Sequence, residues 1–217
     1  MINKLYSACY ADNGYPFDVL LSNRDSHDVR TVVSADQIDD DKNAALIIWG
    51  GADINPQLYG HPESTRTYPG GKRDFIEWAL LQRAIEVGIP IIGVCRGAQM
   101  ACAAAGGYLL QHVQNHSGSN HDVTTPDGKV IKVNSIHHQM MVAEKVDHEL
   151  LAWSTHRQSE EYIYKDDKLF EIPQGWKEPE FYYFPKIKAF AIQWHPEGMR
   201  RDSEATQYVL EKIRERI

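Results

Sequence analysis

Residues 91–100 read IIGVCRGAQM: an apolar run that breaks at Gly93, carries a cysteine, passes a second glycine at 97 and continues in helix-forming residues. A chain that turns sharply from strand to helix brings its backbone close to itself, and glycine on either side of the turning residue removes the Cβ clashes. The spacing Gly93-x-Cys95-x-Gly97 is the thiol counterpart of the G-x-S-x-G nucleophile elbow. The flanks agree with it. Gly88-Ile89-Pro90 is a turn signal, Ile91, Ile92 and Val94 form a short β-branched strand, and the alanine-rich stretch 98–105 is a helix that stops at Gly106-Gly107. Cys95 is therefore expected at the tip of a strained turn at the mouth of a helix, where backbone N–H groups and the helix dipole favour a thiolate. A bland core cysteine would not need both glycines.

The rest of the chain is that of an ordinary soluble globular protein, and its 217 residues suit one substantial domain spanning 1–217. The 23 basic and 30 acidic residues give a net charge of −7, which argues against general nucleic-acid or anionic-membrane partners. No run is long enough to cross a membrane, and residues 1–14 lack the apolar core of a signal peptide, so a cytoplasmic protein is expected. Cys9, Cys95 and Cys102 are an odd set without paired spacing, which predicts free thiols. The C-terminal stretch from Met199 interleaves its charges and reads as an amphipathic helix from about Asp202.

Strands are expected near 29–33, at 44–49 and at 91–94, with a helix over 73–87 whose Phe75, Ile76, Ala79, Leu80, Ile85 and Val87 would face the core. Beyond Gly107 the stretches KVIKVNSIHH and EFYYFPKIKAFAIQWHPE are strand-like and separated by turns. Parallel βα units early and antiparallel strands late predict a doubly wound α/β sheet with its ligand chemistry at the carboxyl ends of the strands.

A cysteine nucleophile needs a base, and the base an orienting carboxylate. The stretch AFAIQWHPEG supplies both: a buried-strand pattern over 189–194, then His195-Pro196-Glu197, where proline holds the imidazole and carboxylate on a rigid tripeptide. The oxyanion of a tetrahedral intermediate also needs donors. The N–H of Arg96 is the first by elbow geometry, and the Gly50-Gly51 turn after strand 44–49 is the natural source of the second. His112, His116 and His121 have spacings that a zinc site could use, yet no cysteine joins them and they suit a loop lining an anionic pocket equally well. The expectation is no metal and no cofactor.

Taken in order, GGADINPQLYG, GVCRGAQ, VNSIHHQ and IQWHPEG resemble the class I glutamine amidotransferase superfamily, and within it the free-standing γ-glutamyl hydrolases, including those acting on γ-glutamyl-γ-aminobutyrate. The likeness runs from about Ala44 to Gly198. It implies a three-layer, flavodoxin-like α/β fold: a mostly parallel central sheet with helices on both faces and an additional antiparallel region. It also implies a γ-glutamyl thioester intermediate. Carried over by motif, Cys95 is the nucleophile, His195 the base and Glu197 its partner, Gly51 and Arg96 are the oxyanion donors, and Gln99, His137, His138 and Gln139 lie near the substrate. Two readings stay open: a self-sufficient hydrolase of a small γ-glutamyl amide, forming a homo-oligomer or acting alone, and a glutaminase subunit that feeds ammonia to a partner synthetase. Arginine after the cysteine and the loop after Gly51 favour the first.

Overall fold

The computed structural model describes residues 2–8, 28–118 and 120–217, so the expected free thiol of Cys9 lies outside the described residues. Nine strands form one sheet. Its parallel half contains β1 (Lys4–Ala8), β2 (Asp28–Val32), β3 (Ala44–Ile48), β4 (Ile91–Val94) and, late in the chain, β13 (Ala189–Ile192). These lie in the order β2-β1-β3-β4-β13, every pair parallel. From β13 outward the pairing turns antiparallel through β12 (Pro179–Phe184), β10 (Glu149–Ser154), β7 (His121–Thr124) and β8 (Val130–Val133). Two small antiparallel pairs complete the strands: β5 (Tyr108–Leu110) with β9 (Met140–Val142), and β6 (His112–Val113) with β11 (Tyr162–Ile163).

Alternation along β3 makes the layers. Ala44, Leu46 and Ile48 face one core, with α1 (Lys72–Val87) and α2 (Arg96–Ala104) packed over it. Ala45, Ile47 and Trp49 face the other, covered by Ala205, Tyr208, Val209 and Ile213 of α3 (Glu204–Arg214). Because both faces of the central strands are buried, they read as continuous apolar runs. Ser203 caps α3, its side chain accepting from the N–H of Thr206. Among the described residues no helix is long and apolar enough to cross a membrane.

Two expectations are corrected. The strand β1 was not anticipated; its sequence KLYSA mixes a lysine and a serine into the run, although Leu5 through Ala8 are buried. The core face of α1 is the expected one at Leu80 and Val87, with Ile76 and Ile85 packed partly against it, but not at Phe75 and Ala79. Phe75 is 56% exposed and Ala79 is exposed, while Asp74, Glu77, Leu80, Leu81, Ala84 and Val87 are buried. Two carboxylates hold core positions on this helix because they face a buried cation, Arg96, which enters from α2.

Candidate active site

The elbow is built by steric necessity at both glycines. A Cβ on Gly93 would meet the carbonyl oxygen of Gly97 at 2.4 Å, and one on Gly97 would meet the carbonyl oxygen of Ile48 in β3 at 2.0 Å. Cys95 between them has φ 51° and ψ −106°, a left-handed conformation that costs a non-glycine residue on the order of 1–3 kcal/mol. The surrounding structure enforces it: the Cys95 N–H continues the sheet to Ile192 O at 2.7 Å, and its carbonyl accepts from Gln99 N in the first turn of α2 at 3.1 Å.

The side chain of Arg96 is 1% exposed. It pairs with Asp74 and Glu77 of α1, and Glu77 also takes Arg73 Nε at 2.8 Å. Arg73 in turn donates to the carbonyl of Gly50 at 3.0 Å. One ion cluster thus ties the elbow helix, α1 and the Gly50-Gly51 turn into a unit. Sequence reading assigned Arg96 for its backbone N–H and had no signal for its counterions, which sit where a helix ordinarily places apolar residues.

His195 follows β13 at the carboxyl edge of the sheet. Its Nδ1 is 2.7 Å from Glu197 Oε1, which leaves Nε2 free to serve Cys95, whose Cβ and the His195 ring both border the Gly50 Cβ position. Burial alone pushes the pKa of this imidazole down, but the hydrogen bonds to Cys95 and Glu197 and the charges of both groups override it and raise the value to about 10. The backbone at 195 is fixed by Asn134, whose side-chain amide donates to His195 O and accepts from His195 N, both at 2.9 Å. The asparagine belongs to the VNSIHHQ motif, so the signal for it was present although its role was not read. Gly50 lies against the pair: a Cβ there would come within 2.7 Å of His195 Cε1 and 3.6 Å of Cys95 Cβ. The turns that follow β3, β4 and β13 therefore meet at one point. The other described cysteine, Cys102, is fully buried, and burial pushes its thiol up to about 12.

The residues expected near the substrate divide. Gln99 is buried beside Gln139 O and Gln193 Oε1, at 3.5 Å from each. The Gln139 side chain donates to Thr67 Oγ1 at 3.1 Å. His138 pairs with Asp53 at 3.0 Å, and Asp53 also accepts from Tyr68 N at 2.9 Å. These contacts fasten the loop after Gly51 to the segment 138–139. His137 is turned elsewhere, into a buried group with His116, His121 and Glu180. The triplet His112, His116 and His121 is likewise not one group: His112 stacks toward His138 at 5.8 Å between ring centroids, and His137 takes its place beside the other two.

The family model described as Peptidase C26 matches residues 3–197. Protein NtpR of Enterococcus hirae is 30% identical over 185 residues, covering 75% of this chain and 68% of NtpR. A carbamoyl phosphate synthase small chain of Zymomonas mobilis is 30% identical over 77 residues, covering 35% of this chain and 21% of that one. The crystal structure of a glutamine amidotransferase from Thermotoga maritima superposes with TM-score 0.60 at 14% identity, over 99% of this chain and 86% of that one. The chain spans between 25% and 68% of the length of the first curated relatives it matches.

Proposed function

The chain belongs to the peptidase C26 family, within the class I glutamine amidotransferase-like superfamily, and from that premise we propose that it is a cysteine-dependent amidohydrolase cleaving the γ-amide of a small γ-glutamyl compound. The observation that carries the reading is the meeting of Cys95, in its strained elbow, with the hydrogen-bonded pair His195 and Glu197. In the first half-reaction the sulfur of Cys95 attacks the γ-carbonyl carbon, its proton already resting on His195, whose raised pKa keeps the ring an imidazolium at neutral pH. An imidazole whose pKa is raised is a stronger base for that proton. Glu197 holds the ring's tautomer and stabilises the imidazolium. The N–H groups of Gly51 and Arg96 receive the developing oxyanion. Collapse breaks the C–N bond, His195 returns the proton to the departing amine, and a γ-glutamyl thioester remains. Water, deprotonated by the same imidazole, then attacks the thioester carbon and releases glutamate and the thiol.

A self-sufficient hydrolase is favoured because the loop after Gly51 is held in place by the chain's own residues. The loop from Gly51 to Gly71 is fastened by Asp53 to His138, by Thr67 to Gln111 and Gln139, and by Ser64 and Thr65 to Asp167. A loop held at this many points serves recognition of the whole substrate, including its free α-amino and α-carboxyl groups, with Gln99 and His138 as the polar groups offered. The reading in which ammonia passes to a synthetase draws on the likeness to the carbamoyl phosphate synthase small chain. The two separate in one assay. Isolated protein is given glutamine and a series of γ-glutamyl amines, and glutamate release is followed. Turnover of γ-glutamyl amines on the order of 1 s⁻¹ or faster without any added protein is expected; turnover only with a synthetase present would reverse the choice.

A further inference from the structure

Glu180 in β12 is fully buried, and neither of its carboxylate oxygens has a hydrogen bond of proper geometry. Imidazoles face it instead. His116 Nδ1 and His121 Nε2 each lie 3.2 Å from Oε1, and His137 Nε2 lies 3.5 Å from the same oxygen. All three nitrogens also lack a properly directed hydrogen bond.

The tautomer of His137 sharpens the problem. Its Nδ1 is 2.9 Å from the carbonyl oxygen of Gln139, which can only accept, so the proton sits on Nδ1 and a neutral ring presents a bare lone pair at Nε2. A lone pair aimed at a buried carboxylate is repulsive unless a positive charge stands between them. His116 lies between two carboxylates: Nε2 is 3.3 Å from Glu178 Oε2 and Nδ1 is 3.2 Å from Glu180 Oε1, neither with a directed hydrogen bond, so a proton on Nε2 would leave Nδ1 as the bare nitrogen facing Glu180. His137 thus has one nitrogen anchored on an acceptor and the other turned inward, the arrangement by which histidine ligands of metals are oriented, and Glu178 stands where it would do the same for His116. Donor atoms at ~2.0–2.1 Å from a tetrahedral zinc ion stand about 3.3–3.4 Å apart. The spacings of 3.2 and 3.5 Å from Glu180 Oε1 agree with such edges, and the donors of His116, His137 and Glu180 all lie within 4.8 Å of one another.

We propose that His116, His137 and Glu180 bind a divalent transition ion of the zinc class, with Glu178 and the Gln139 carbonyl orienting the two imidazoles and His121 donating its Nε2–H to the ligating carboxylate. Neutral imidazoles, two carboxylates and one divalent ion sum to no net charge, which suits a site without solvent. The ion acts as a staple. It joins the segment after β6 to β12 and to the turn between β8 and β9, the turn that also carries Asn134, His138 and Gln139 into the wall of the candidate active site.

The test is metal stoichiometry, done on the full chain carrying Cys95→Ser so that the cleft thiol cannot capture the ion. Protein stripped with a chelator is dialysed against zinc chloride or cobalt(II) chloride at micromolar concentration, and its bound metal and unfolding temperature are measured. One ion per chain, visible d–d absorption in the cobalt form and a raised unfolding temperature are expected. Glu178→Gln should weaken binding by about 10- to 100-fold. Adding His137→Ala should abolish the site, while adding His112→Ala should leave it intact. A folded parent protein that retains less than a tenth of an equivalent would overturn the proposal, whatever the variants do. So would metal bound equally well with His137→Ala.

Discussion

His195 with Glu197 and His116 with Glu180 bring the same two kinds of side chain together in neighbouring parts of the fold, since Gln193 N of the segment leading to His195 donates to Glu180 O at 2.8 Å. In the first pair the contact is 2.7 Å and one imidazole nitrogen remains for Cys95. In the second, three rings converge on one carboxylate oxygen at 3.2–3.5 Å without a directed hydrogen bond. The chemistry of a histidine–carboxylate pair is therefore decided by what stands at the ring's other nitrogen. In the readings proposed above, a thiol there makes the pair a proton relay, and a second carboxylate makes it a ligand set.

The comparison breaks most decisively at the thiol. Cys95→Ser should lower amide turnover by roughly 10⁴-fold or more while leaving the circular dichroism spectrum and unfolding temperature near those of the parent, because only the nucleophile is lost. Retained turnover would mean that the relay does not serve Cys95. Next come the two glutamates, changed in parallel. Glu197→Gln should reduce kcat by about 10²- to 10⁴-fold with KM little changed, since the lost interaction belongs to the transition state. Glu180→Gln should act chiefly on stability and metal content. If steady-state kinetics and thermal melts gave the two variants the same profile, the distinction between relay and ligand set would fall.

A third expected effect concerns what holds the elbow in place. Arg96→Met leaves Asp74 buried without its cation and Glu77 still paired with Arg73, and should cost about 3–5 kcal/mol in urea unfolding. The pH dependence of stability is gentler. The His195 pKa of about 10 in the folded chain lies above its ordinary 6.5, so the folded form binds this proton more tightly. That stabilisation is complete below about pH 6.5 and is lost as pH rises through 10. Melts taken from pH 6 to 10.5 should show a decline that is shallower in His195→Asn. The smallest effect expected is on substrate affinity: Gln99→Ala or His138→Ala should raise KM several-fold more than it lowers kcat.

Much of the parallel half of the fold was legible in the chain. Strands β3, β4 and β13 are apolar throughout because both faces are covered, and the glycines at 93 and 97 announce a turn that only glycine permits. The rest was hidden for physical reasons. Glu180 lies in a strand whose six residues are all buried, so nothing in the alternation marks a carboxylate as facing inward. Asp74 and Glu77 lie on the core face of α1 against the usual partition of charge to solvent. His137 and His138 are adjacent, and a turn sends one to Glu180 and the other to Asp53, a divergence that no spacing rule contains.

The 2.0 Å approach of the Gly97 Cβ position to the Ile48 carbonyl carries a consequence for descent. Replacing the thiol at 95 is expected to alter chemistry while sparing the architecture. Any side chain at 97 has to push a central strand aside. A lineage of this chain that abandoned catalysis would be free to change residue 95 and would still be constrained at 97, so its inactive branches should be found by their glycines rather than by their cysteine.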